Sequence, residues 1–286
     1  MSGEALAAVL LSSFLHALWN LFNKGSRDRW AFFLAQGVVA ALAYFPLAAW
    51  IVWFYGLPAG AWPWVVLSAL VHAAYAVYLL RAYDAGDLSV AYPLSRTAPV
   101  LLVLWDVLVA REPVNGAGVA GALLAGGGVV VLQWPAVRAH GLRWVFAAPV
   151  TRYALITAVF VATFSVIDKQ GVRVVHPLAF LYCASLGETA VIAFLLGQAR
   201  TQRLRAEWQR NAPRVAATGI LGGFSYLLIL WALAAAPASY VLGLRQCSIV
   251  FGVILAHFVL REMETRYRLV GAAVIALGSA LIAAYG

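Results

Sequence analysis

The chain has 286 residues, 64% of them hydrophobic and only 11% charged, with a formal net charge of +9. A water-soluble protein of this length has too little interior to hide so much apolar surface, and a membrane β-barrel would alternate polar and apolar residues where this chain runs continuously apolar. The basic excess sits mostly at the ends of apolar runs, as in a protein that orients itself in a membrane, and does not point to nucleic acid.

Ten apolar runs are legible, near 5–23, 30–53, 62–82, 88–109, 116–134, 152–168, 177–198, 214–234, 239–260 and 267–285. Each is close to the roughly 20 residues that a spanning helix needs. The expected fold is therefore an all-α polytopic membrane protein with ten transmembrane helices. Run 1 lacks a basic flank before it and a small-residue cleavage site after it, so it reads as a membrane helix and not as a cleavable signal. His16, Asn20 and either Asn23 or Lys24 share one stripe of it, with Ser12 or Ser13 above. Such a stripe serves substrate or proton contact, or else helix–helix hydrogen bonds worth about 0.6–2 kcal/mol in membranes. In run 3, His72, Tyr75, Leu79 and Tyr83 share a face, with Tyr78 one step round. Tyr75 and Tyr78 lie too deep to fit an interfacial belt well. Asp84 and Asp87 flank Gly86 in the following turn and read as solvated turn residues in preference to a metal-binding pair.

Run 4 opens with Tyr92-Pro93-Leu94-Ser95-Arg96-Thr97-Ala98-Pro99. Arginine at the centre of a membrane helix costs about 2.5–3.5 kcal/mol on insertion scales. Proline there removes a backbone donor, and such breaks persist only where protein or a water-filled cavity covers the freed carbonyls. The stretch reads as the wall of a polar cavity; the alternative is an arginine that snorkels to one interface. Ser89, Tyr92, Arg96, Pro99 and Val103 form one stripe, extended by Asp106. Asp106 is about 15 Å along the helix from Arg96, so no direct pair is expected. The glycines of run 5, including Gly121 and Gly126-Gly127-Gly128, suit close helix packing. Asp168-Lys169 closes run 6 and is expected at the interface. Glu188 stands mid-way in run 7 as a proton-coupling candidate or as a buried partner of Arg96 or Arg245. Run 8 carries Gly222-Gly223, Tyr226 and Trp231, and run 9 carries Arg245-Gln246. Cys183 and Cys247 lie inside apolar runs and read as packing residues, not as a disulfide or metal pair.

Charge gives orientation. Lys24, Arg27, Arg29, Arg81, Arg138, Arg143, Arg152, the four arginines from Arg200 to Arg210, Arg214, Arg261, Arg266 and Arg268 fall on one side of a ten-span chain. The other side has Arg111, Lys169 and Arg173. The positive-inside rule then places both termini outside the cytoplasm.

The chain also repeats. Residues 82–132 align without a gap onto 232–282, pairing Ala82 with Ala232, Ser89 with Ser239, Leu94 with Leu244, Gly121 with Gly271, Gly128 with Gly278 and Arg111-Glu112 with Arg261-Glu262. Trp19-Asn20-x-x-x-Lys24 corresponds to Phe164-x-x-x-Asp168-Lys169 at a slightly different shift. A unit of five helices is odd, so the second copy crosses in the opposite sense, giving inverted repeats over 1–134 and 151–286 with a linker over 135–150.

His16-Ala17-Leu18-Trp19-Asn20-x-x-x-Lys24, Tyr92-Pro93-Leu94-Ser95-Arg96 with Pro99, and the paired Arg-Glu steps resemble the drug/metabolite transporter superfamily, specifically its EamA-type members. The resemblance covers essentially the whole length. It implies passage of small metabolites such as amino acids through a cavity lined by helices 1, 3, 4, 6, 8 and 9. The expected function is secondary transport of a small polar metabolite, an amino acid or related organic anion or zwitterion, by alternating access at the midplane. The alternatives are a phosphonate-type or quaternary-amine permease, or a lipid or lipid-carrier flippase, on the same fold. The candidate substrate residues are His16, Trp19, Asn20, Tyr75, Tyr78, Tyr92, Arg96, Tyr226, Trp231 and Arg245, with Glu188 for protons. Two arginines with aromatic walls suit a carboxylate or phosphonate, because the guanidinium fork matches either oxyanion and aromatic faces accept an ammonium or apolar tail. The chain has no G-x-x-x-x-G-K-[ST] phosphate loop and no paired-carboxylate site of a membrane enzyme beyond Asp84 and Asp87. No cofactor or nucleic-acid partner is expected; the partners are a small-molecule substrate and the lipid of a cell (inner) membrane.

Overall fold

The computed structural model describes residues 1–23, 28–85, 95–132, 134, 138, 148–260 and 266–286. They form α1 (Gly3–Asn23), α2 (Arg29–Tyr55), α3 (Trp62–Ala85), α4 (Ala98–Trp105), α5 (Gly116–Val131), α6 (Pro149–Val174), α7 (Pro177–Leu196), α8 (Arg200–Ala235), α9 (Ala238–Arg245), α10 (Cys247–Leu260) and α11 (Arg266–Tyr285). Among the described residues, six apolar helical stretches are long enough to cross a membrane, one of them Pro177–Ala235 holding α7 and α8 end to end. Three shorter apolar helices accompany them, Ala98–Ala110, Gly116–Val131 and Leu269–Tyr285.

The helix ends follow local chemistry. The Asp28 carboxylate accepts from the Ala31 N–H to cap α2, the Asn115 side chain accepts from the Gly118 N–H to cap α5, and His176 Nδ1 accepts from the Leu178 N–H to cap α7. Each satisfies an amide that the first helical turn leaves unpaired. Pro149 and Pro177 occupy first-turn positions, where a missing N–H costs nothing. After α4 the chain makes a π-helical turn over Asp106–Ala110 and reverses at Arg111, whose φ of 49° is left-handed.

Two boundaries differ from the sequence reading. Helix α6 continues to Val174, six residues past the apolar run, so Asp168 and Lys169 are not interfacial but buried, at 0% and 5% exposure. The charges that ended the hydropathy signal are satisfied inside. The segment before run 8 is also helical: Arg200 starts α8, which bends at Asn211 (φ −134°) ahead of Pro213. Its first three turns are too polar for a hydropathy reading to register. The expectations for Lys24, Asp87, Ser89 and Tyr92, for the Arg261-Glu262 step and for most of 135–150 fall outside the described residues.

The outer surface is apolar, with Trp53 84%, Phe194 79% and Leu42 72% exposed, while polar side chains gather within. That inversion is what a lipid environment requires. The bundle has two unlike ends. At one, the N-terminal ammonium contacts the Gly286 carbonyl, and Asn115 Nδ2 contacts the Tyr285 carbonyl. The largest apolar core fills this end, running from Val9 and Val65 through Val172 and Phe180 to Leu233 and Tyr240. At the other end, Arg203 makes a two-pronged bond of 2.7 Å per arm to Asp28, and Arg29 reaches the Tyr83 carbonyl at 2.6 Å. Packing there is divided among small separate clusters around Ala82, Ile192 and Val215.

Helices α5 and α11 cross at four glycines. A Cβ on Gly121 would come within 2.7 Å of the Gly278 carbonyl, and one on Gly128 within 2.9 Å of the Gly271 carbonyl. Only glycine permits that approach. Helix α1 packs on α8 and α6 on α3. The first of these contacts is tied by Ser12 Oγ to the Ser225 carbonyl at 2.7 Å and by Ser225 Oγ to the Ser12 carbonyl at 3.0 Å.

Candidate functional site

Two turns meet inside the bundle, one leading into α4 and one between α9 and α10. Before α4 the chain turns at Ser95–Thr97, with Pro99 in the first helical turn. Between α9 and α10 it turns at Gln246. The two breaks touch: Gln246 Nε2 donates to the Arg96 carbonyl at 3.0 Å. Breaks in membrane helices leave backbone groups that must be covered from within, and here the Gln246 side chain covers the Arg96 carbonyl.

Arg96 reaches from its break to α1, where its Nη2 contacts Nε2 of His16. The imidazole of His16 stacks on Trp19 at 5.2 Å between centroids, and Trp19 Nε1 donates to Gln36 Oε1 at 2.9 Å. Trp19 therefore holds His16 in place. Asn20 Nδ2 donates to the His16 carbonyl of its own helix at 2.9 Å. From α9, the Arg245 guanidinium stands over the Tyr226 ring at 5.5 Å, and the Arg245 carbonyl accepts from Ser13 Oγ at 3.4 Å. His16 lies within electrostatic reach of both arginines.

Below this cationic face lies an acidic one. The carboxylate of Asp168 is fully buried and gathers three partners. Ser68 Oγ donates to its Oδ1 at 2.6 Å, Tyr226 OH donates to its Oδ2 at 2.5 Å, and His72 Nε2 lies 2.9 Å from the same Oδ2. His72 stacks on Phe164 at 4.0 Å, and Tyr75 meets Phe164 edge-on at 5.4 Å. Glu188 lies within electrostatic reach of His72 and Asp168. Four helices (α3, α6, α7 and α8) supply this layer.

A third charged group lies towards the end that bears the termini. Lys169 Nζ sits 2.8 Å from Glu112 Oε1 and donates to the Ala236 carbonyl at 2.9 Å, and Arg173 Nη2 lies 3.4 Å from Glu112. Nearby, the buried Asp106 carboxylate accepts from the Ser239 N–H at 2.7 Å and caps α9.

Of the sequence candidates, His16, Trp19, Arg96, Arg245 and Tyr226 come together with their neighbours, and Asn20 sits one turn along α1. Tyr75 joins through Phe164. Tyr78 is one turn further along α3, against Tyr153 and Phe160, with Arg81 over its ring at 5.8 Å. Trp231 does not join: it is 48% exposed, and five residues from Tyr226 is about 140° round the helix. Asp84 faces Arg29 at 3.5 Å and Trp30 at 3.2 Å on the surface. The sequence reading missed Asp168, Ser68 and Phe164 and gave His72 no role. A signal existed, because Phe164 and Asp168 are four residues apart and share one face of α6.

A model of the EamA-like transporter family matches residues 3–134 and again residues 148–284. The chain belongs to the EamA-like transporter family. This EamA-like protein is thus a multi-pass integral membrane transporter and not a member of an enzyme family. Among solved structures, one described only as "Crystal structure of protein" shares its fold, with a TM-score of 0.71 at 18% identity over 98% of this chain and 95% of that one. No curated protein is significantly similar in sequence.

Proposed function

We propose that this transporter moves a small anionic or zwitterionic metabolite, of the amino-acid type, by alternating access around the Arg96–Gln246 crossing. The observation that carries the reading is this contact between two helix breaks, flanked by Arg96 and Arg245. Gln246 occupies the position that the repeat aligns with Arg96, so equivalent residues of the two halves touch each other. The glycine crossing follows the same rule. Gly121 meets Gly278 while Gly128, the counterpart of Gly278, meets Gly271, the counterpart of Gly121. Contacts of this reciprocal kind are those of a two-fold axis. Together with the doubled family match they support ten spans in two inverted five-helix halves, 1–134 and 151–286, joined by a linker over 135–150.

In this reading the half-buried Arg96 and Arg245 guanidiniums hold a carboxylate, and His16, fixed by Trp19, orients Arg96. The rings of His72, Tyr75, Phe164 and Tyr226 form an aromatic wall that suits an ammonium at the other end of a zwitterion. The continuous apolar core and the Lys169–Glu112 pair close the end that bears the termini. The positive-inside rule assigns the opposite, arginine-rich end to the cytoplasm, so this arrangement is closed to the outside.

The test is uptake into proteoliposomes of a ligand first selected by thermal shift from amino acids, phosphonates and quaternary amines. A ligand that prefers the folded state raises its apparent stability. Arg96→Ala is expected to abolish uptake while the protein remains folded; undiminished uptake would sink the reading.

A further inference from the structure

The acidic layer has a feature that substrate binding does not use. Asp168 has 0% exposure, and three side chains from two helices, α3 and α8, already converge on it. No metabolite reaches it. A proton does, because Tyr226 OH and His72 Nε2 share one carboxylate oxygen and lie 3.4 Å from each other. Among the described residues no group of His, Cys, Asp and Glu is arranged to hold a metal ion.

We infer that Asp168, His72 and Glu188 form a proton-binding site behind the substrate site, bordering it through the His72 ring, and that Tyr226 couples the two. The inference rests on the transport reading. Two carboxylates and an imidazole within electrostatic reach of one another titrate as a unit, and the unit's charge depends on its neighbours. Those neighbours come from every packed helix: Ser68 and Tyr75 of α3, Tyr226 of α8 and Arg245 of α9, with Lys169 of α6 turned away towards Glu112 and Asp106. Arg245 is the shared element. Its guanidinium lies over the Tyr226 ring, and its charge acts on both His72 and Tyr226. An anion that engages Arg245 withdraws positive charge from the acidic layer and adds negative charge beside it. Proton uptake by the Asp168–His72–Glu188 unit restores the balance. No covalent bond changes; one proton enters from water and leaves to water on the other side.

The experiment needs no substrate. Infrared difference spectra of the full chain in lipid vesicles, stepped between about pH 8 and about pH 5, read carboxyl and imidazole protonation directly. The expected result is a protonated-carboxyl C=O band together with imidazole ring bands, both changed or lost in Asp168→Asn. Tyr226→Phe removes a donor to the carboxylate, and Arg245→Gln removes a nearby positive charge. Each is expected to move the midpoint to higher pH by about one unit, a tenfold gain in proton affinity. A purely structural network would leave only bands that Asp168→Asn does not alter, those of the other four histidines among them, and that outcome overturns the inference. A midpoint indifferent to Arg245→Gln overturns the coupling. Should Asp168→Asn fail to fold, His72→Gln carries the test, since it must remove the His72 contribution to the imidazole bands, leaving those of the other four histidines, and shift the carboxyl midpoint. Titration without transport sinks the transport reading; transport with a silent cluster sinks this one.

Discussion

Glu112→Gln isolates the charged closure at the end that bears the termini. In the native chain Lys169 is nearly sealed, with 6% of its side chain exposed, and its ammonium has Glu112 at 2.8 Å and the Ala236 carbonyl at 2.9 Å. Replacing the carboxylate by an amide of the same shape leaves that ammonium buried with its contact counter-charge gone and only the more distant Asp106 remaining. Removing one partner of a buried pair costs about 3–5 kcal/mol, against at most about 1 kcal/mol for an exposed pair. Glu112 keeps 18% exposure, which places the cost near the lower limit, about 3 kcal/mol. With an unfolding entropy of about 2.1 cal/mol/K per residue, a chain of 286 residues loses roughly 1.7 °C per kcal/mol, so Tm falls by about 5 °C. Lys169→Met does less, about 1–2 kcal/mol, because Glu112 retains Arg173 at 3.4 Å. The double variant recovers most of the loss, since Met at 169 removes the buried ammonium that Glu112→Gln alone leaves without its partner. Thermal unfolding of the purified protein in one fixed detergent, run as a double-mutant cycle, measures all three. A Glu112→Gln protein within about 1 °C of the parent, or a double variant as unstable as the sum of the singles, refutes the reasoning.

Three further outcomes follow from named contacts. The Arg203 bond holds the Asp28 carboxyl below its ordinary value, so the stability it adds is present above the unfolded value of about 4 and is lost as pH falls through the depressed one. In a Tm-versus-pH series Asp28→Asn should therefore lie below the parent near neutrality, by no more than about 1 kcal/mol for so exposed a pair, and converge with it in acid. Gly128→Ala should destabilise by about 1–3 kcal/mol, read as lost Tm, because its Cβ meets the Gly271 backbone; Gly127→Ala, with open space around it, should not. Asp106→Ala should cost about 0.5–2 kcal/mol by uncapping α9, and Asp106→Asn, which keeps an acceptor for the Ser239 N–H, should lose less in the same melt.

The helices were legible because lipid makes a simple demand: long apolar runs with charges at their ends. Starts at 62, 116 and 177 agree with the structure, since a cap or a first-turn proline marks the last two. The break at Arg96 was legible for the same reason, because a guanidinium between prolines contradicts the run around it. The break at Gln246 was not, for nothing in Leu244-Arg245-Gln246-Cys247 disfavours a helix locally. It was visible only through its alignment with Arg96. Asp168 failed in the opposite direction. Hydropathy treats a charge as the end of a span, whereas this carboxylate is neutralised by partners some hundred residues away, Ser68 and His72. The amphipathic first turns of α8 were missed because their stability comes from tertiary contact, including Arg203 with Asp28, and not from apolar content.

The unequal ends of the bundle follow from where its charges find partners. At the end bearing the termini the connections are short, as at Val175–His176 and Ala236–Pro237, and they bring Glu112, Lys169 and Arg173 together. Charges satisfied within the protein let apolar side chains close over them, and the largest core forms there. At the other end, exposed arginines such as Arg200, Arg205 and Arg210 look outwards. Apolar packing there stays in small patches that separate at little cost. Under the proposed alternating access, the end that bears the termini opens only when the Lys169–Glu112 pair parts and α9 moves with its Asp106 cap. In that reading the same pair whose loss lowers stability sets the height of the step that exposes the Arg96 site to the other side. A Lys169→Met, Glu112→Gln protein should melt near the parent yet exchange ligand across that end faster, a combination that separates a closure from a simple brace.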